Sequence, residues 1–329
     1  MELVCPAGGL PALKAAVDNG ADWVYAGLRD DTNARNFPGL NFDDTALAAG
    51  VDYAHRRGRK VLLAVNTYPL AENWSRWTAA IDRAVRLGAD AVIVADAGLL
   101  RYARLAHPQL ELHLSVQGSA TSYEAINFFQ SHFGVKRAVL PRVLSLAQVE
   151  HVVRHTGVEI EVFGFGGLCV MVEGRCSLSG YACGASPNMY GACSPAHAVR
   201  WRETPRGLES RLGGVLIDRY ARNEPAAYPT VCKGRFAVEG DTYHVFEEPA
   251  SLNTLEFIPE FGRIGVRAIK IEGRQRSPAY VAEVTRVWRE AIDAWRAGAF
   301  APRAAWMAAL ARHAEGSQHT LGAFSRPWK

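Results

Sequence analysis

The chain has 329 residues, of which 49% are hydrophobic and 21% charged, and 37 Lys and Arg stand against 33 Asp and Glu. A chain of this length buries a large core without disulfides, and its apolar fraction excludes a disordered, highly charged protein. The formal net charge of +4 is small and spread along the chain. It therefore indicates no dedicated nucleic-acid or membrane surface.

The N-terminal segment lacks a basic start followed by a long apolar run, and no stretch approaches the roughly 18 apolar residues of a membrane-spanning helix. We therefore expect a cytoplasmic protein. Thiols stay reduced in that compartment, so the clustered cysteines are expected to be metal ligands or catalytic groups rather than disulfide partners.

Short runs rich in Val, Ile and Leu alternate with helical patterns from the start of the chain. The pattern predicts eight strands, at 2–5, 23–26, 60–65, 91–95, 111–116, 138–140, 158–165 and 268–272. It predicts helices at 11–19, 44–57, 71–87, 99–105, 122–133, 146–155 and 278–297. Eight strands with helical connections favour an α/β fold of the (β/α)8, TIM-like barrel type. An open dinucleotide-binding sheet is disfavoured because no G-x-G-x-x-G follows the first strand.

About 100 residues separate the seventh and eighth predicted strands, which is far more than a β/α unit requires. We interpret 166–249 as an insertion within one barrel domain that spans 1–329, with the missing helix at 252–261 and a helix and closing strap after 299. The insertion follows the C-terminal end of strand seven, and that face of a barrel carries the active site.

The insertion contains five of the six cysteines, Cys169, Cys176, Cys183, Cys193 and Cys232. Their spacing matches neither the knuckles of zinc fingers nor the ferredoxin motif, so a zinc site and an iron–sulfur cluster both remain open. Neighbouring glycines and cations are expected to lower the pKa of these thiols. Inert buried cysteines are the alternative, which we favour for the remaining cysteine, Cys5.

Alternation along the strands places several polar side chains inside the barrel, where they are costly unless paired. These are His113, Ser115 and Gln117 on the fifth strand, Glu159 and Glu161 on the seventh, and Lys270 and Glu272 on the eighth. A functional site is one interpretation. A structural ion-pair network is the other, chiefly for Glu159 and His113.

Further polar residues lie where strands end, a position typical of binding and catalysis in barrels. Asn33 and Arg35 belong to a loop after the second strand, and Asn66, Asp96 and Arg142 end the third, fourth and sixth. We predict catalytic roles for Gln117, Arg142, Glu272 and Arg274, and substrate binding by Asn33, Arg35 and Asn66. The serine-hydrolase elbow, the Walker loop and the H-E-x-x-H motif are absent from the sequence.

The segment Glu161-Val-Phe-Gly-Phe-Gly-Gly-Leu-Cys169-Val-Met-Val-Glu-Gly-Arg-Cys176 resembles the signature of the collagenase-like peptidase family U32. Several motifs are similar to those of the branch of this family that hydroxylates ubiquinone precursors without O₂. They are Ser115-Val-Gln-Gly-Ser, Leu140-Pro-Arg-Val-Leu-Ser145, Cys193-Ser-Pro-Ala, Cys232-Lys-Gly-Arg and Lys270-Ile-Glu-Gly-Arg-Gln-Arg276. Many members carry His where this chain has Gly164-Phe165-Gly166, and its absence disfavours proteolysis.

The resemblance implies a 4Fe–4S cluster held by Cys169, Cys176, Cys193 and Cys232, with Cys183 outside the ligand set. It also implies a heterodimer with a UbiV-like iron–sulfur protein, a polyprenyl-phenol substrate, a lipid-binding accessory protein and a carboxylate oxygen donor such as prephenate. Four alternatives stay open: RNA base hydroxylation, which the small net charge disfavours; a metallopeptidase; a structural metal protein; and a non-catalytic scaffold.

Overall fold

The computed structural model describes residues 1–326, and the chain opens with a run of alternating strands and helices. Seven parallel strands each pair with the next along the chain: β1 (Glu2–Pro6), β2 (Trp23–Gly27), β3 (Lys60–Val65), β4 (Ala91–Val94), β5 (Glu111–Leu114), β6 (Arg137–Val139) and β7 (Glu159–Gly167). Six helices connect them: α1 (Leu10–Asp18), α2 (Asp44–His55), α3 (Trp74–Arg86), α4 (Ala97–Ala106), α5 (Tyr123–Phe133) and α6 (Leu146–Arg154).

Side-chain caps set where several of these helices begin. Asp43, Ser122 and Ser145 each accept a hydrogen bond from a backbone N–H in the first turn of the helix that follows. Asp96, which we predicted to be a functional strand-end residue, caps α4 in the same way by accepting from the N–H of Leu99 at 2.9 Å. Its carboxylate therefore starts a helix, and it does not line the cavity described below.

The insertion predicted at 166–249 follows β7 as expected, but it is folded rather than loop-like. It contains α7 (Leu178–Cys183), α8 (Pro187–Tyr190), an antiparallel sheet of β8 (Val199–Thr204), β9 (Gly207–Leu212) and β10 (Val215–Tyr220), and a hairpin of β11 (Arg235–Val238) and β12 (Asp241–His244). A two-residue Gly213–Gly214 turn joins β9 to β10, and such a turn is a hairpin signal. Sequence reasoning missed this signal.

Beyond the insertion, the chain returns to the barrel and closes it. β13 (Ser251–Asn253) pairs antiparallel with the end of β7, and α9 (Ile258–Ile264) leads to β14 (Ala268–Ile271). β14 pairs in parallel with both β7 and β1, so eight parallel strands form a closed TIM-like barrel, as predicted. The helix predicted at 252–261 is wrong in its first part, because the backbone there pairs with β7 as a strand.

The C-terminal part adds α10 (Pro278–Arg296), α11 (Ala304–Ala311) and β15 (His319–Thr320), which pairs with β13. Ser277 caps α10 and Pro278 opens it, as the sequence predicted. α10 packs against α1 and α11. Within residues 1–326, none of the helices combines the length and apolar character needed to cross a bilayer.

The main core lies between the strands and the helices that surround them. Its largest fully buried members include Trp77, Trp288, Phe261 and Leu13. A smaller apolar group fills the barrel itself, with Trp23, Tyr25, Leu62 and Ile93 among its members. Burial of this apolar surface is the main force that stabilises the fold.

An ion-pair network lies at the N-terminal end of the barrel interior. Lys270 donates to Glu161 at 2.7 Å, and both side chains are at least nine-tenths buried. Arg137 contacts Glu2, Glu159 and the second oxygen of Glu161 at 2.5, 2.6 and 3.6 Å. Burial alone would raise the pKa of Glu161, but Lys270 and Arg137 lower it.

Glu159 and His113 are both held by ion-pair or hydrogen-bond partners away from the cavity. Glu159 belongs to this network, and the buried ring of His113 lies 2.7 Å from a carboxylate oxygen of Glu111. The structural alternative therefore describes these two residues better than a functional role.

The Lys270–Glu161 pair yields a stability prediction. Lys270→Met should lower the free energy of unfolding by about 3 kcal/mol, because it leaves a buried carboxylate with only the more distant Arg137. The double variant Lys270→Met/Glu161→Leu should recover much of this loss. Urea unfolding followed by circular dichroism measures both, and Asp52→Asn, in an exposed pair with Arg56, is the control. Equal midpoints for Lys270→Met and the control would contradict the prediction.

Candidate functional site

A cavity of about 110 Å³ opens at the C-terminal end of the barrel, between the strand ends and the insertion. Ten of the eleven residues predicted to bind or react line it: Arg35, Asn66, Gln117, Arg142, Glu272, Arg274, Cys169, Cys176, Cys193 and Cys232. The eleventh, Asn33, is fully buried behind the lining and accepts a hydrogen bond from Arg274 at 2.7 Å. The fold thus assembles one site from residues distributed over 240 positions of the chain.

The four lining cysteines come from three segments of the insertion that pack onto the barrel rim. Gly174, with φ of +87°, lies so close to the turn at Gln117 that a Cβ would overlap the Gln117 carbonyl oxygen. The side chain of Ser119 donates to the carbonyl of Glu173 at 2.6 Å in the same contact. These contacts position the loop between Cys169 and Cys176 on the barrel.

Burial controls the ionisation of these thiols. It raises the pKa of Cys169 to about 12, and it also raises the pKa values of Cys176 and Cys232. The prediction that neighbouring glycines and cations lower these pKa values is therefore wrong, because desolvation outweighs the nearby Arg142 and Lys233. Burial thus favours the protonated form of Cys169, Cys176 and Cys232, and these thiols must lose protons to bind a metal.

The donor set can be compared with the two kinds of metal centre that the sequence left open. Among residues 1–326, no group of three or more His, Cys, Asp or Glu side chains is placed to hold one metal ion. Four thiols instead surround a shared cavity. In a cubane cluster each of four irons takes its own thiolate, so the ligand sulfurs stand around the group rather than converging on a point. The donor chemistry fits such a cluster.

The two remaining cysteines lie outside the cavity. Cys183 ends α7, and its thiol donates to the carbonyl of Ser179 at 3.0 Å. Cys5 is fully buried at the end of β1 and lies 3.2 Å from the hydroxyl of Thr285, while burial raises its pKa to about 12. Both cysteines thus lie apart from the four thiols that line the cavity.

Two arginines that line the cavity are paired with carboxylates. Arg142 donates to Glu173 at 2.7 Å, with both side chains almost fully buried. Arg35 lies 3.5 Å from Glu272, and Glu272 also accepts from the N–H of Gly167 at 3.1 Å. Burial alone would raise the pKa of Glu272, but Arg35 and Arg142 lower it, so this carboxylate is ionised at neutral pH.

Arg274 is different, because it has no carboxylate partner among residues 1–326. It is 4% exposed, and it donates to the side chain of Asn33 and to the carbonyl of Ala34, while its Nε has no partner. Desolvation lowers its pKa to about 10, so it still carries its charge at neutral pH. An unpaired buried guanidinium that lines a cavity is suited to bind an anion.

The remaining candidates shape the rim. The side chain of Asn66 accepts from the N–H of Ala34 at 2.9 Å and donates to Ser115 at 3.0 Å. The carbonyl of Gln117 accepts from the hydroxyl of Tyr68 at 2.8 Å, and its own side-chain oxygen has no partner. Gln117 can therefore bind a donor group of a ligand, whereas Asn66 mainly positions the loop that carries Arg35.

Sequence reasoning did not single out several lining residues, among them Glu173 and Tyr25. Glu173, between Cys169 and Cys176, balances the charge of Arg142, and an acidic residue in a cysteine loop opposite a strand-end arginine was the available signal. Tyr25 also lines the cavity, with Lys270 4.0 Å from its ring centroid. Tyr25 lies in an apolar strand whose pattern carries no functional signal.

Comparison with known proteins defines first the fold class and then the family. The solved structure of the U32 peptidase Mk0906 matches 84% of this chain and 94% of its own, with a TM-score of 0.51 and 12% identity, which shows the shared fold. Residues 8–326 match the model of Peptidase family U32. The chain belongs to that family.

Curated relatives in this family have different names. The tRNA hydroxylation protein P of Escherichia coli (strain K12) is 32% identical over 320 residues, which cover 90% of this chain and 69% of the relative. A protein named collagenase from Porphyromonas gingivalis is 31% identical over 310 residues, covering 91% of this chain and 67% of the relative. The family therefore includes named hydroxylation proteins beside a named peptidase.

The placement of Cys5 and Cys183 predicts their reactivity. In the native, metal-free protein, iodoacetamide at pH 8 should modify the half-buried Cys183, whereas Cys5 should stay unmodified until the chain unfolds, since it is inaccessible and its pKa is about 12. Peptide mass spectrometry measures both sites, and urea-unfolded protein is the control. Modification of native Cys5 at the rate of Cys183 would contradict the placement.

Proposed function

We propose that the chain is the cytoplasmic subunit of a hydroxylase that modifies a polyprenyl phenol in ubiquinone biosynthesis without O₂. The motifs described above are similar to those of UbiU, and a UbiV-like iron–sulfur protein would complete a heterodimer, with a lipid-binding accessory protein. One observation carries the proposal: the four cysteines line the same cavity as the polar strand-end residues. Relatives named for hydroxylation support the reaction class.

In this proposal Cys169, Cys176, Cys193 and Cys232 hold a 4Fe–4S cluster. Such a cluster supplies electron transfer or Lewis acidity when bound. Hydroxylation without O₂ needs another oxygen donor, and transfer of a hydroxyl group to the ring, with the ring hydrogen passing to the donor, balances atoms and electrons. The residues of the chain bind and orient these two reactants.

Arg274 is the residue best placed to hold a donor that carries a carboxylate. Arg35 and Arg142 already face Glu272 and Glu173, so an anion would have to displace or share those partners. Arg274 forms no ion pair among residues 1–326, and its hydrogen-bond partners, the side chain of Asn33 and the carbonyl of Ala34, are neutral. Binding a carboxylate would compensate a buried charge that the free protein leaves unpaired.

The apolar part of the lining suits an aromatic ring. Ile93, Val116, Val139 and Phe163 line the cavity beside the polar residues, and Arg142 lies 4.2 Å from the ring centroid of Phe163. The cavity admits a ring, whereas a long polyprenyl chain has to extend through its mouth.

The exposed apolar surface of the insertion supports binding of a partner or of a lipid-like substrate. Most of the large hydrophobic residues that the described chain exposes belong to the insertion, including Tyr181, Trp201, Tyr243 and Phe246. Exposed apolar groups concentrated in one region are typical of an interaction surface.

Peptide hydrolysis is less well supported by the site. In the described part of the chain no histidine lines the cavity, so the usual general base of a nucleophilic hydrolase is not found there. A structural metal protein would leave the anion-binding and carboxylate residues of the same cavity without a role.

The cysteines provide the direct test. Anaerobic reconstitution should give about four irons per chain, Cys176→Ala should lose most of this iron, and Cys183→Ala, a matched control in the same insertion, should retain it. Cells grown without O₂ should make ubiquinone with Cys183→Ala but not with Cys176→Ala.

Two outcomes contradict this proposal. A colourless wild-type chain that binds zinc under anaerobic conditions would exclude the cluster. Normal ubiquinone formation with Cys176→Ala would assign the chemistry to the partner and leave this chain as a scaffold.

RNA base hydroxylation is a second candidate, and one surface favours it. The segment 199–222 contains six arginines and three acidic residues, an excess of three positive charges against +4 for the whole chain. The small net charge of the whole chain therefore does not exclude a locally basic surface in this segment. Arg200 faces Arg211 across β8 and β9, a like-charge pair that an anionic ligand would relieve.

β8 is one of the two edge strands of this sheet, and its exposed residues are suited to contact a nucleic acid. Arg200, Trp201 and Arg202 are exposed there, and neither arginine forms an ion pair with a residue in 1–326. Arginines beside an exposed indole are typical of surfaces that bind single-stranded RNA.

The second candidate predicts salt-dependent RNA binding. Arg200→Ala/Arg202→Ala should weaken binding of a single-stranded RNA and reduce the slope of log K against log salt by about 1.4, because two phosphate contacts are lost. Fluorescence anisotropy of a labelled oligonucleotide measures the slope, and Arg56→Ala/Arg57→Ala, just after α2, is the matched control. A wild-type chain that does not bind RNA at low salt would exclude this candidate.

A further inference from the structure

Arg35 has a backbone conformation that is unfavourable for a residue with a side chain. Its φ is +72°, in the left-handed region that glycine and asparagine prefer. Such a conformation persists only where the surroundings impose it, and residues of this kind cluster at functional sites.

The contacts that impose this conformation come from the loop that carries Cys193. The N–H of Arg35 donates to the carbonyl of Gly191 at 2.6 Å, and the side chain of Asn41 donates to the carbonyl of Arg35 at 3.1 Å. Gly191 is itself at φ +80°, and a Cβ there would lie 2.5 Å from the carbonyl oxygen of Asn33. The rim loop and the Cys193 loop therefore fit together backbone to backbone.

The side chain of Arg35 joins two parts of the site. Its Nη1 lies 3.9 Å from the sulfur of Cys193, and its Nε lies 3.5 Å from Glu272. Glu272 in turn accepts from the N–H of Gly167, two residues before Cys169. Among the described residues, no other Lys or Arg side chain donates a hydrogen bond to a cysteine sulfur.

Other cations near the cysteines are engaged elsewhere. Arg142 pairs with Glu173, and Lys233, next to Cys232, pairs with Glu315. Although burial disfavours the charge of Arg35, Cys193 and Glu272 raise its pKa, so the guanidinium stays charged. The charge of Arg35 is thus directed at the sulfur, with one opposing carboxylate.

We propose that Arg35 is a positioning residue that raises the reduction potential of the iron–sulfur group, and that Glu272 opposes it. The proposal rests on the proposed function, because it requires the four cysteines to bind that group. A positive charge that hydrogen-bonds a ligand sulfur stabilises the added electron, so its loss makes reduction harder. Loss of the opposing carboxylate leaves the arginine uncompensated and makes reduction easier.

The test compares midpoint potentials of reconstituted variants, followed by the visible spectrum or by electron paramagnetic resonance. Arg35→Gln should shift the potential to more negative values, by as much as a tenfold change in the ratio of oxidised to reduced protein, which is about 59 mV for one electron. Glu272→Gln keeps an acceptor for the N–H of Gly167 and should shift the potential to more positive values. The double variant should lie close to the wild type.

Arg175→Gln is the matched control, because Arg175 is exposed next to Cys176 and donates only to the carbonyl of Ser119, at 3.4 Å. Because solvent screens the exposed charge of Arg175, the reduction potential of Arg175→Gln should stay near that of the wild type. Shifts of opposite sign for Arg35→Gln and Glu272→Gln would support the proposal, since a merely structural role gives no such sign change.

Two results would overturn the inference while the cluster itself stands. One is full iron content with an unchanged potential in Arg35→Gln. The other is loss of iron from both Arg35→Gln and Arg35→Lys with retention in the wild type, which would assign Arg35 a purely structural role. A wild-type chain without iron would instead contradict the proposed function.

Discussion

The pairing of β14 with both β1 and β7 is the constraint on which the rest of the structure depends. It closes the barrel, and its register directs Lys270 inward to Glu161. The two inward positions that follow, Glu272 and Arg274, contact the start of the insertion and the loop after β2. The strand that closes the barrel is therefore followed directly by two side chains that hold the neighbouring segments of the site.

A second constraint brings distant cysteines together. β13 returns along the end of β7, so the chain leaves and re-enters the barrel at nearly the same place. The 166–249 segment between these two points is then held over the strand ends by close backbone contacts at Gly174 and Gly191. Lys233, the neighbour of Cys232, forms an ion pair with Glu315, which links this part of the insertion to the C-terminal part of the chain. Thiols that are 63 positions apart in sequence can thus line one cavity.

Much of this architecture follows from local pattern. The eight barrel strands and the insertion after the seventh are visible as apolar runs and as one long interruption. The strand-end position of Arg142 and the alternation that points Glu272 inward also placed both residues correctly in the cavity. In these cases the periodicity of the backbone decides where a side chain points, so sequence is sufficient.

The errors arise where tertiary contact outweighs local pattern. The backbone at 251–253 joins a sheet because β7 offers it hydrogen-bond partners, although the following residues read as helix. Desolvation, which sequence does not show, reverses the expected direction of the pKa shift for Cys169 and Cys232. Asn33 was predicted to bind substrate, but it lies behind the lining and orients Arg274.

The size of the cavity indicates that the residues inside it carry out the reaction, whereas residues on the outer surface select the substrate. At about 110 Å³ it is much smaller than a polyprenyl chain or a polynucleotide. The same inner residues can therefore serve either candidate function, and discrimination has to occur outside, where the bulk of the substrate lies. That outer surface is largely the insertion, which carries exposed aromatic residues and an arginine-rich sheet. Family members that differ in substrate should accordingly differ most in this insertion, while the strand-end residues that face the cavity stay alike.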